Sequence, residues 1–372
     1  MVVRHGRAFA RRFAALALAA ALPLLAGCTR HDYPQSTFQP RSEFASWVAG
    51  LNVMLIVWVI VIFALVQTLL LVAIVRFRAR PGAPPPKPVH GHTLLEIAWT
   101  IAPAIVLALV AIPTVLIIFR TQGPPPRTDV HVKVVGHQWW WEYQYPELGV
   151  TTAGELHLPV GKTAVIDIES ADVIHSFWFP AMGGKRDAVP NRTNRIWFTP
   201  DSLGEYFGQC VEFCGMSHAN MRTRLFVETP EQFAAWVANQ KLPPVGGTGA
   251  PDTTHAVAAA AAGGVATAQA ATLPGGAGAP SGLAAKGRQI FAQSACIGCH
   301  TIQGVSAGIV GPNLTHFASR TSFAGALYER TDDNIAKWLQ NPPERKPGSL
   351  MPNLGLTPDQ ITALVAYLQS LK

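Results

Sequence analysis

Five cysteines occupy three separate chemical settings in this chain of 372 residues. Cys28 ends an apolar N-terminal run, Cys210 and Cys214 bracket a short loop, and Cys296 and Cys299 directly precede a histidine. An odd number of cysteines behind an export-type leader argues against a disulfide framework. The thiols therefore indicate covalent attachment and metal ligation.

A cluster of soft metal ligands lies around the second pair of cysteines. Two thiolates four residues apart can each bridge two soft cations, two imidazoles supply one nitrogen to each metal, and a methionine adds a thioether. The backbone carbonyl between the thiolates can also reach a metal. This set suits two copper ions that share one electron, whereas a single zinc ion held by two Cys and two His would need no Met. The candidate ligands are His175, Cys210, Glu212 through its carbonyl, Cys214, His218 and Met221.

The third pair of cysteines belongs to Cys296-Ile-Gly-Cys299-His300, a C-x-x-C-H pattern. This spacing is typical of covalent haem c attachment, with the histidine as an axial iron ligand. Met351 is the only methionine after the motif and is the predicted second axial ligand, which raises the reduction potential. His316 is the competing ligand and would lower the potential; otherwise it is expected at the surface.

The N-terminal residues have the layout of a secretory signal. Arginines precede an apolar stretch at residues 13–25, and Ala26 and Gly27 come just before Cys28. This pattern resembles a lipoprotein signal in which residues 1–27 are removed and Cys28 is lipidated. The alternative is an ordinary signal, or a first membrane anchor with an incidental cysteine.

Two further apolar runs, at residues 47–75 and 94–119, are long enough to span a bilayer. We predict a transmembrane hairpin within residues 40–122. Its connection carries Arg76, Arg78, Arg80 and Lys87, so the positive-inside tendency places it in the cytoplasm and everything after Arg120 outside. The net charge of +7 is therefore poor evidence for nucleic-acid binding, since much of the excess lies in the leader and this connection.

Residues 127–240 show a β pattern of short apolar strands near positions 131, 155, 164 and 195, separated by Gly, Pro, Asn and Asp. Repeated short strands predict a sandwich. The segment Thr229-Pro230-Glu231-Gln232 has the pattern of a capping box with proline at the first helical position, and it predicts the start of a helix after the sandwich.

Residues 241–282 consist mainly of Ala, Gly, Pro and Thr, which predicts a flexible linker. Residues 283–372 have helical periodicity with helix starts at Thr331 and Thr357, which predicts a small all-α domain. The predicted fold class is a membrane-anchored multidomain chain.

The loop pattern Cys-x-Glu-x-Cys-x-x-x-His-x-x-Met with its upstream histidine resembles cytochrome c oxidase subunit II. The aromatic segment at residues 136–143 and the hairpin extend the resemblance over residues 40–240. It implies a cupredoxin-like β-sandwich that holds a binuclear copper (CuA) centre and docks on a haem–copper subunit I. It also implies that electrons from cytochrome c enter at Trp139, and that the Glu212 carboxylate faces a magnesium site shared with subunit I. The alternative for Trp139 is an aromatic side chain of the core, and the alternative for Glu212 is a solvated carboxylate at the rim of the domain.

Glu96 lies in a segment that resembles the subunit II region at the mouth of a proton-uptake path into subunit I. A carboxylate early in a membrane span is costly unless it faces protein or water. The resemblance therefore implies a proton-collecting role, and the alternative is an interfacial residue that anchors the helix.

The two centres together resemble the caa-type oxidases, in which a fused cytochrome c domain delivers electrons to copper. The expected function is that of an electron-transfer subunit without an oxygen-reducing centre of its own, in the bacterial inner membrane with its copper and haem domains on the outer face. The expected partners are subunits I and III, and the donor is a periplasmic cytochrome c or a quinol-cytochrome c reductase. Residues 127–240 carry 13 acidic and 9 basic side chains and residues 283–372 carry 5 and 8, so attraction favours docking of a shuttling haem domain.

Two other functions remain open on the sequence. The partner could be a copper-containing nitric oxide reductase, or the chain could be a membrane-anchored redox sensor or copper-delivery protein. A delivery protein needs exposed and exchangeable ligands, whereas six ligand groups including a carbonyl and a thioether favour retention of the metal. A quinol-oxidase subunit II is disfavoured because that branch lacks these copper ligands.

Overall fold

The structure is a computed structural model that describes residues 35–79, 81–82, 88, 90–244 and 282–372. The predictions for the leader, for lipidation of Cys28, for Arg80 and Lys87 and for nearly all of the linker lie outside the described residues. The elements described below belong to one compact unit, residues 37–372.

Two long helices form the predicted hairpin. Helix α1 spans Glu43–Arg76 and helix α2 spans Thr93–Gln122, so each extends beyond its apolar run at both ends, by a single residue at the ends that face the connection. The Ser42 hydroxyl caps α1 by accepting a hydrogen bond from the Ala45 amide at 3.1 Å. Both helices are long and apolar enough to cross a membrane, and most of their apolar side chains are exposed. The surface that they present is therefore suited to lipid.

The outer ends of the two helices contact the β domain. Glu43 accepts a hydrogen bond from the Thr199 amide at 2.8 Å, and the Trp197 indole donates one to the Gly123 carbonyl at 3.0 Å. Trp47 packs edge-to-face on Trp197, with ring centroids 6.1 Å apart. These contacts hold the β domain next to the end of the hairpin.

Residues 130–228 fold into a sandwich of two five-stranded sheets, which confirms the predicted architecture. The strands predicted near positions 131, 155, 164 and 195 are β1, β4, β5 and β8, and the others were not predicted. The strands are β1 Val130–His137, β2 Trp140–Tyr145, β3 Val150–Ala153, β4 Glu155–Pro159, β5 Ala164–Ser170, β6 His175–Trp178, β7 Arg186–Ala188, β8 Asn194–Phe198, β9 Gly204–Cys210 and β10 Arg222–Glu228.

One sheet has the order β3-β2-β1-β5-β8 and the other has the order β4-β10-β9-β6-β7. Alternate residues of β1 point into the core, where Val132 and Val134 are fully buried. Helix α3, Pro230–Lys241, follows β10 and starts with the predicted capping box, in which Thr229 and Gln232 bond to each other's backbone amides.

The C-terminal domain is helical, and its helices after Thr331 and Thr357 start where predicted. Gly287 lets the first and last of its helices cross closely, because a Cβ there would lie 1.9 Å from the Ala363 carbonyl oxygen. Two small antiparallel ladders, β11 Thr301–Ile302 with β12 Ser306–Ala307 and β13 Ser322–Phe323 with β14 Tyr328–Glu329, were not predicted. The helices are α4 Gly282–Gln293, α5 Cys296–Cys299, α6 Asp332–Gln340, α7 Pro342–Arg345 and α8 Pro358–Ser370.

Candidate copper and haem sites

The candidate copper ligands meet at one end of the sandwich. Cys210 ends β9, His175 begins the neighbouring strand β6, and Met221 directly precedes β10. The Cys210 amide donates a hydrogen bond to the Met221 carbonyl at 2.9 Å, which closes the base of the loop between them. Pairing of β9 with both β6 and β10 therefore brings the ligands together.

The ligand atoms lie in contact with one another. The two thiol sulfurs, on Cys210 and Cys214, are 3.7 Å apart. Cys210 Sγ lies 3.9 Å from His175 Nδ1, and Cys214 Sγ lies 3.5 Å from His218 Nδ1 and 3.9 Å from Met221 Sδ. All six predicted groups are thus brought to one place, because the remaining group, the Glu212 carbonyl oxygen, lies 3.3 Å from Cys210 Sγ.

Asp172 orients the imidazole of His175, and the backbone carbonyl of Glu212 faces the thiols. Asp172 lies 2.7 Å from His175 Nε2, which leaves Nδ1 directed at the thiols. The Glu212 side chain is exposed while its carbonyl faces Cys210, so the two parts of this residue point to different surroundings.

The electrostatics of the thiol pair fit a cationic centre. Hydrogen bonding from Cys214, with help from His175, lowers the pKa of Cys210 to about 4. The same interaction with Cys210 raises the pKa of Cys214, because a second thiolate would form beside the first. Ionisation of both thiols therefore needs positive charge between them, and the buried Met221 adds a soft donor that a zinc site does not require.

The haem motif faces a mostly apolar cavity whose walls come mainly from the C-terminal domain and in part from the copper domain. Cys296, Cys299 and His300 line this cavity together with Met351. The His300 Nδ1 atom lies 2.9 Å from the Pro312 carbonyl oxygen, so Nε2 is the ring atom available to iron. The Met351 sulfur accepts a hydrogen bond from the Trp338 indole at 3.2 Å. The cavity, the two thiols and the two axial candidates fit haem c.

His316 does not line the cavity and is only 4% exposed. The prediction that it is a surface histidine is therefore wrong. Its ring is buried near the backbone of Leu242, just after α3, and of Lys372, and burial lowers its pKa. Packing of the segment around His316 against the end of α3, where Asn239 donates a hydrogen bond to Ser319, is a tertiary contact that the local sequence does not encode.

Trp139 connects the two sites. Its indole Nε1 donates a hydrogen bond to the Cys214 carbonyl at 3.1 Å, and the residue also lines the haem cavity. The residue is 7% exposed because the C-terminal domain covers it. Trp140 lines the cavity as well, and Trp141 is fully buried in the sandwich core.

Comparison with known proteins agrees with this arrangement. Residues 35–117 match the transmembrane domain of cytochrome c oxidase subunit II, residues 150–227 match its periplasmic domain, and residues 284–372 match cytochrome c. The cytochrome c oxidase subunit 2 of Alkalihalophilus pseudofirmus is 33% identical over 355 residues, which is 94% of each chain. The chain belongs to the cytochrome c oxidase subunit 2 family. Proteins of the same name from Bacillus sp. strain PS3 and Bacillus subtilis are 35% and 30% identical over 80% and 94% of each chain.

Membership of the cytochrome c oxidase subunit 2 family, with a fused cytochrome c domain, makes this chain subunit II of a terminal oxidase. It implies a complex with subunit I, copper and haem c as cofactors, and a membrane anchor that carries a periplasmic domain. The structure contains the two apolar helices, the cluster of copper-ligand candidates and the cavity that the haem-ligand candidates line.

Residues that the sequence did not single out hold the two domains together at Trp139. The Lys346 ammonium donates hydrogen bonds to the carbonyls of Trp139 and Ala324, each at 2.6 Å, and burial lowers its pKa to about 7. Gly348, with φ of +80°, packs on the Trp139 ring. The Lys-Pro-Gly segment that precedes the candidate axial methionine was the available sequence signal, but it resembles an ordinary turn.

Glu96 lies far along the chain from both redox sites, in the first turn of α2, and is exposed. Its carboxylate accepts a hydrogen bond from the His92 amide at 3.2 Å. This contact stabilises the start of the helix.

Proposed function

We propose that this subunit relays electrons from its haem c to a binuclear copper centre and onward to subunit I, where oxygen is reduced to water with proton translocation. Cys296 and Cys299 would attach the haem, with His300 and Met351 as axial ligands. The ligands of the copper pair would be His175, Cys210, the Glu212 carbonyl, Cys214, His218 and Met221. When bound, the haem iron and the copper pair supply the one-electron redox chemistry.

The position of Trp139 is the observation that carries the proposal. Trp139 lines the haem cavity, and its side chain donates a hydrogen bond to the backbone of a copper-ligand candidate at 3.1 Å. It thus joins the two sites within one residue, through a packing contact at the cavity and a hydrogen bond at the copper-ligand loop. Because the C-terminal domain buries Trp139, a soluble donor must reach the haem domain instead. Electrons therefore enter the copper site at Trp139 from the fused haem.

The remaining roles follow the family resemblance. Glu212, whose carboxylate is exposed, would contribute to a magnesium site at the boundary with subunit I. Glu96, exposed at the start of α2, would collect protons for subunit I. Cys28 would carry the lipid after removal of residues 1–27.

The same proposal assigns the domains and surroundings of the chain. The anchor would comprise residues 40–122, the copper domain residues 127–240, the linker residues 241–282 and the haem domain residues 283–372. The complex would lie in the bacterial inner membrane with subunit III, and a periplasmic cytochrome c or a quinol-cytochrome c reductase would donate electrons. The relatives do not favour a nitric oxide reductase, a redox sensor or a copper-delivery protein, since they are named as cytochrome c oxidase subunits.

Metal analysis combined with optical and EPR spectra of the purified complex tests the proposal. We expect two copper ions assigned to this subunit, a mixed-valence dicopper signal and a low-spin haem c signal. Zinc, or one copper ion, at the site of Cys210 and Cys214 would contradict it. Deletion of residues 283–372 should abolish turnover with the native donor, and undiminished turnover would exclude the fused haem from the electron path.

A further inference from the structure

Glu155 is a buried carboxylate of the copper domain whose hydrogen bonds come from the haem domain. It begins β4 and is 1% exposed. Its Oε1 atom accepts hydrogen bonds from the amide and hydroxyl of Thr321, at 2.8 and 2.7 Å, and from the amide and hydroxyl of Ser322, at 2.8 and 3.0 Å. A buried carboxylate is costly unless it is bonded in this way. The docked haem domain therefore supplies the hydrogen-bond donors that compensate the burial of the Glu155 carboxylate.

The surroundings of Glu155 form a specific contact surface. Arg224 pairs with Glu155 across the β4–β10 ladder, and its guanidinium reaches Glu205 of its own domain. The same guanidinium donates to Thr321 at 3.3 Å and forms an ion pair with Glu329 of the haem domain. Ladder β13–β14 of the haem domain thus fits onto the outer face of β4 and β10.

Arg320 extends this surface to the haem cavity. It precedes Thr321 in the chain, lines the cavity and is 8% exposed. Its buried Nε atom has no hydrogen-bond partner among the described residues. Burial lowers the pKa of Arg320 to about 10, and the negative charge of Glu155 opposes that effect. The carboxylate of one domain therefore compensates a cation that faces the cofactor cavity of the other.

We propose that Glu155 is a positioning residue that docks the haem domain on the copper domain and lowers the haem reduction potential in the docked state. This inference rests on the proposed electron relay and adds a residue and an electrostatic effect to it. Reduction of the haem adds one negative charge, which the Arg320 cation at the cavity wall favours. The Glu155 carboxylate opposes the charge of Arg320 and so disfavours the reduced state. Docking through Glu155 consequently makes the haem a better donor at the point where Trp139 lies against it.

Glu155→Gln in the complete oxidase complex is the test, because glutamine keeps the shape of the side chain and removes its charge. Glu228→Gln is the matched control, since Glu228 lies on β10 of the same sheet and pairs with His157 of its own domain. After flash reduction of the haem, we expect electron transfer to copper to be about tenfold slower or more in E155Q, as expected for loss of a charged hydrogen-bond acceptor. The haem midpoint potential should rise in E155Q, and both quantities should stay at the wild-type value in E228Q.

Equal rates and equal potentials in E155Q, E228Q and wild type would overturn the inference. If E155Q does not assemble, the double variant Thr321→Val with Ser322→Ala removes two of the four donors from the haem side. Slower transfer in that variant supports the inference, and an unchanged rate overturns it. A wild-type complex that shows no electron transfer from haem to copper would instead contradict the proposed function, so the two failures are distinguishable.

Discussion

The copper site and the haem site are built in different ways. The copper-ligand candidates come from one short loop and one neighbouring strand. Each of their donor atoms lies within 4 Å of a donor atom of another candidate. The haem site is a cavity whose walls come from helices, turns and the aromatic segment of the other domain. A small metal centre depends on each polar ligand, whereas a large cofactor is also held by many apolar contacts. Single substitutions should therefore affect the two sites unequally.

Removal of one cysteine from each site tests this inequality most strongly. Cys214→Ser should abolish the mixed-valence dicopper signal and reduce turnover by more than about 100-fold, since even outer contacts of metal sites are worth 10–100-fold. Cys299→Ala should leave the haem attached, because the thioether bond to Cys296 remains and the cavity still surrounds the haem. EPR and optical spectra of both variants provide the measurement. A dicopper signal in C214S, or complete haem loss in C299A, would contradict the comparison.

The choice of axial ligand gives the next largest effect. Met351→His should lower the haem midpoint potential on the order of 0.1 V, part of the roughly 0.8 V that axial ligation spans. His316→Gln should leave the potential unchanged, because His316 lies outside the cavity. Redox titration followed by optical absorption checks both variants. A shift of the midpoint potential in H316Q, with no shift in M351H, would contradict Met351 as the axial ligand and would favour His316.

The link between the two sites is tested at Trp139. Trp139→Phe keeps an aromatic ring but removes the hydrogen bond to the Cys214 carbonyl. We expect electron transfer from haem to copper to slow by about 10–100-fold, as for other outer contacts of metal ligands, with both spectra unchanged. Trp140→Phe is the control, since Trp140 lines the cavity but stacks on His137. An unchanged rate of electron transfer from haem to copper in W139F would mean that the electron path does not depend on the Trp139 hydrogen bond.

The smallest expected effect concerns the fit of the haem domain on Trp139. Gly348→Ala would place a Cβ 2.6 Å from the Trp139 ring, at a backbone φ of +80°. Gly355→Ala imposes similar backbone strain at φ of +62°, but nothing lies within 4 Å of its Cβ. We expect about tenfold slower transfer in G348A alone, equivalent to about 1.4 kcal/mol of weakened docking. Flash-reduction kinetics check this, and equal rates in the two variants would mean that the contact does not matter.

The sequence predicted what is local. The spacing of the thiols, imidazoles and thioether identified the copper candidates, and the structure brings all of them together because one loop and one strand carry them. The apolar runs of the hairpin and the capping boxes at Thr229 and Thr357 were also predictable, since each is encoded within a few residues.

The contacts between domains were not predictable in this way. The opposite net charges of the domains suggested general attraction, yet one interface ion pair runs the other way, with Arg224 on the net negative domain and Glu329 on the net positive one. Glu155 and Lys346 have no local pattern, because their partners lie 166 and 207 positions away. The burial of His316 was missed for the same reason.

Flash reduction of the haem in the intact complex, followed at the absorption bands of haem and copper, tests the central claim most directly. The account predicts that the haem is reoxidised as the copper pair is reduced, at a rate independent of protein concentration. Reduction of the copper pair while the haem stays reduced, or a rate that rises with protein concentration, would contradict an intramolecular path through Trp139.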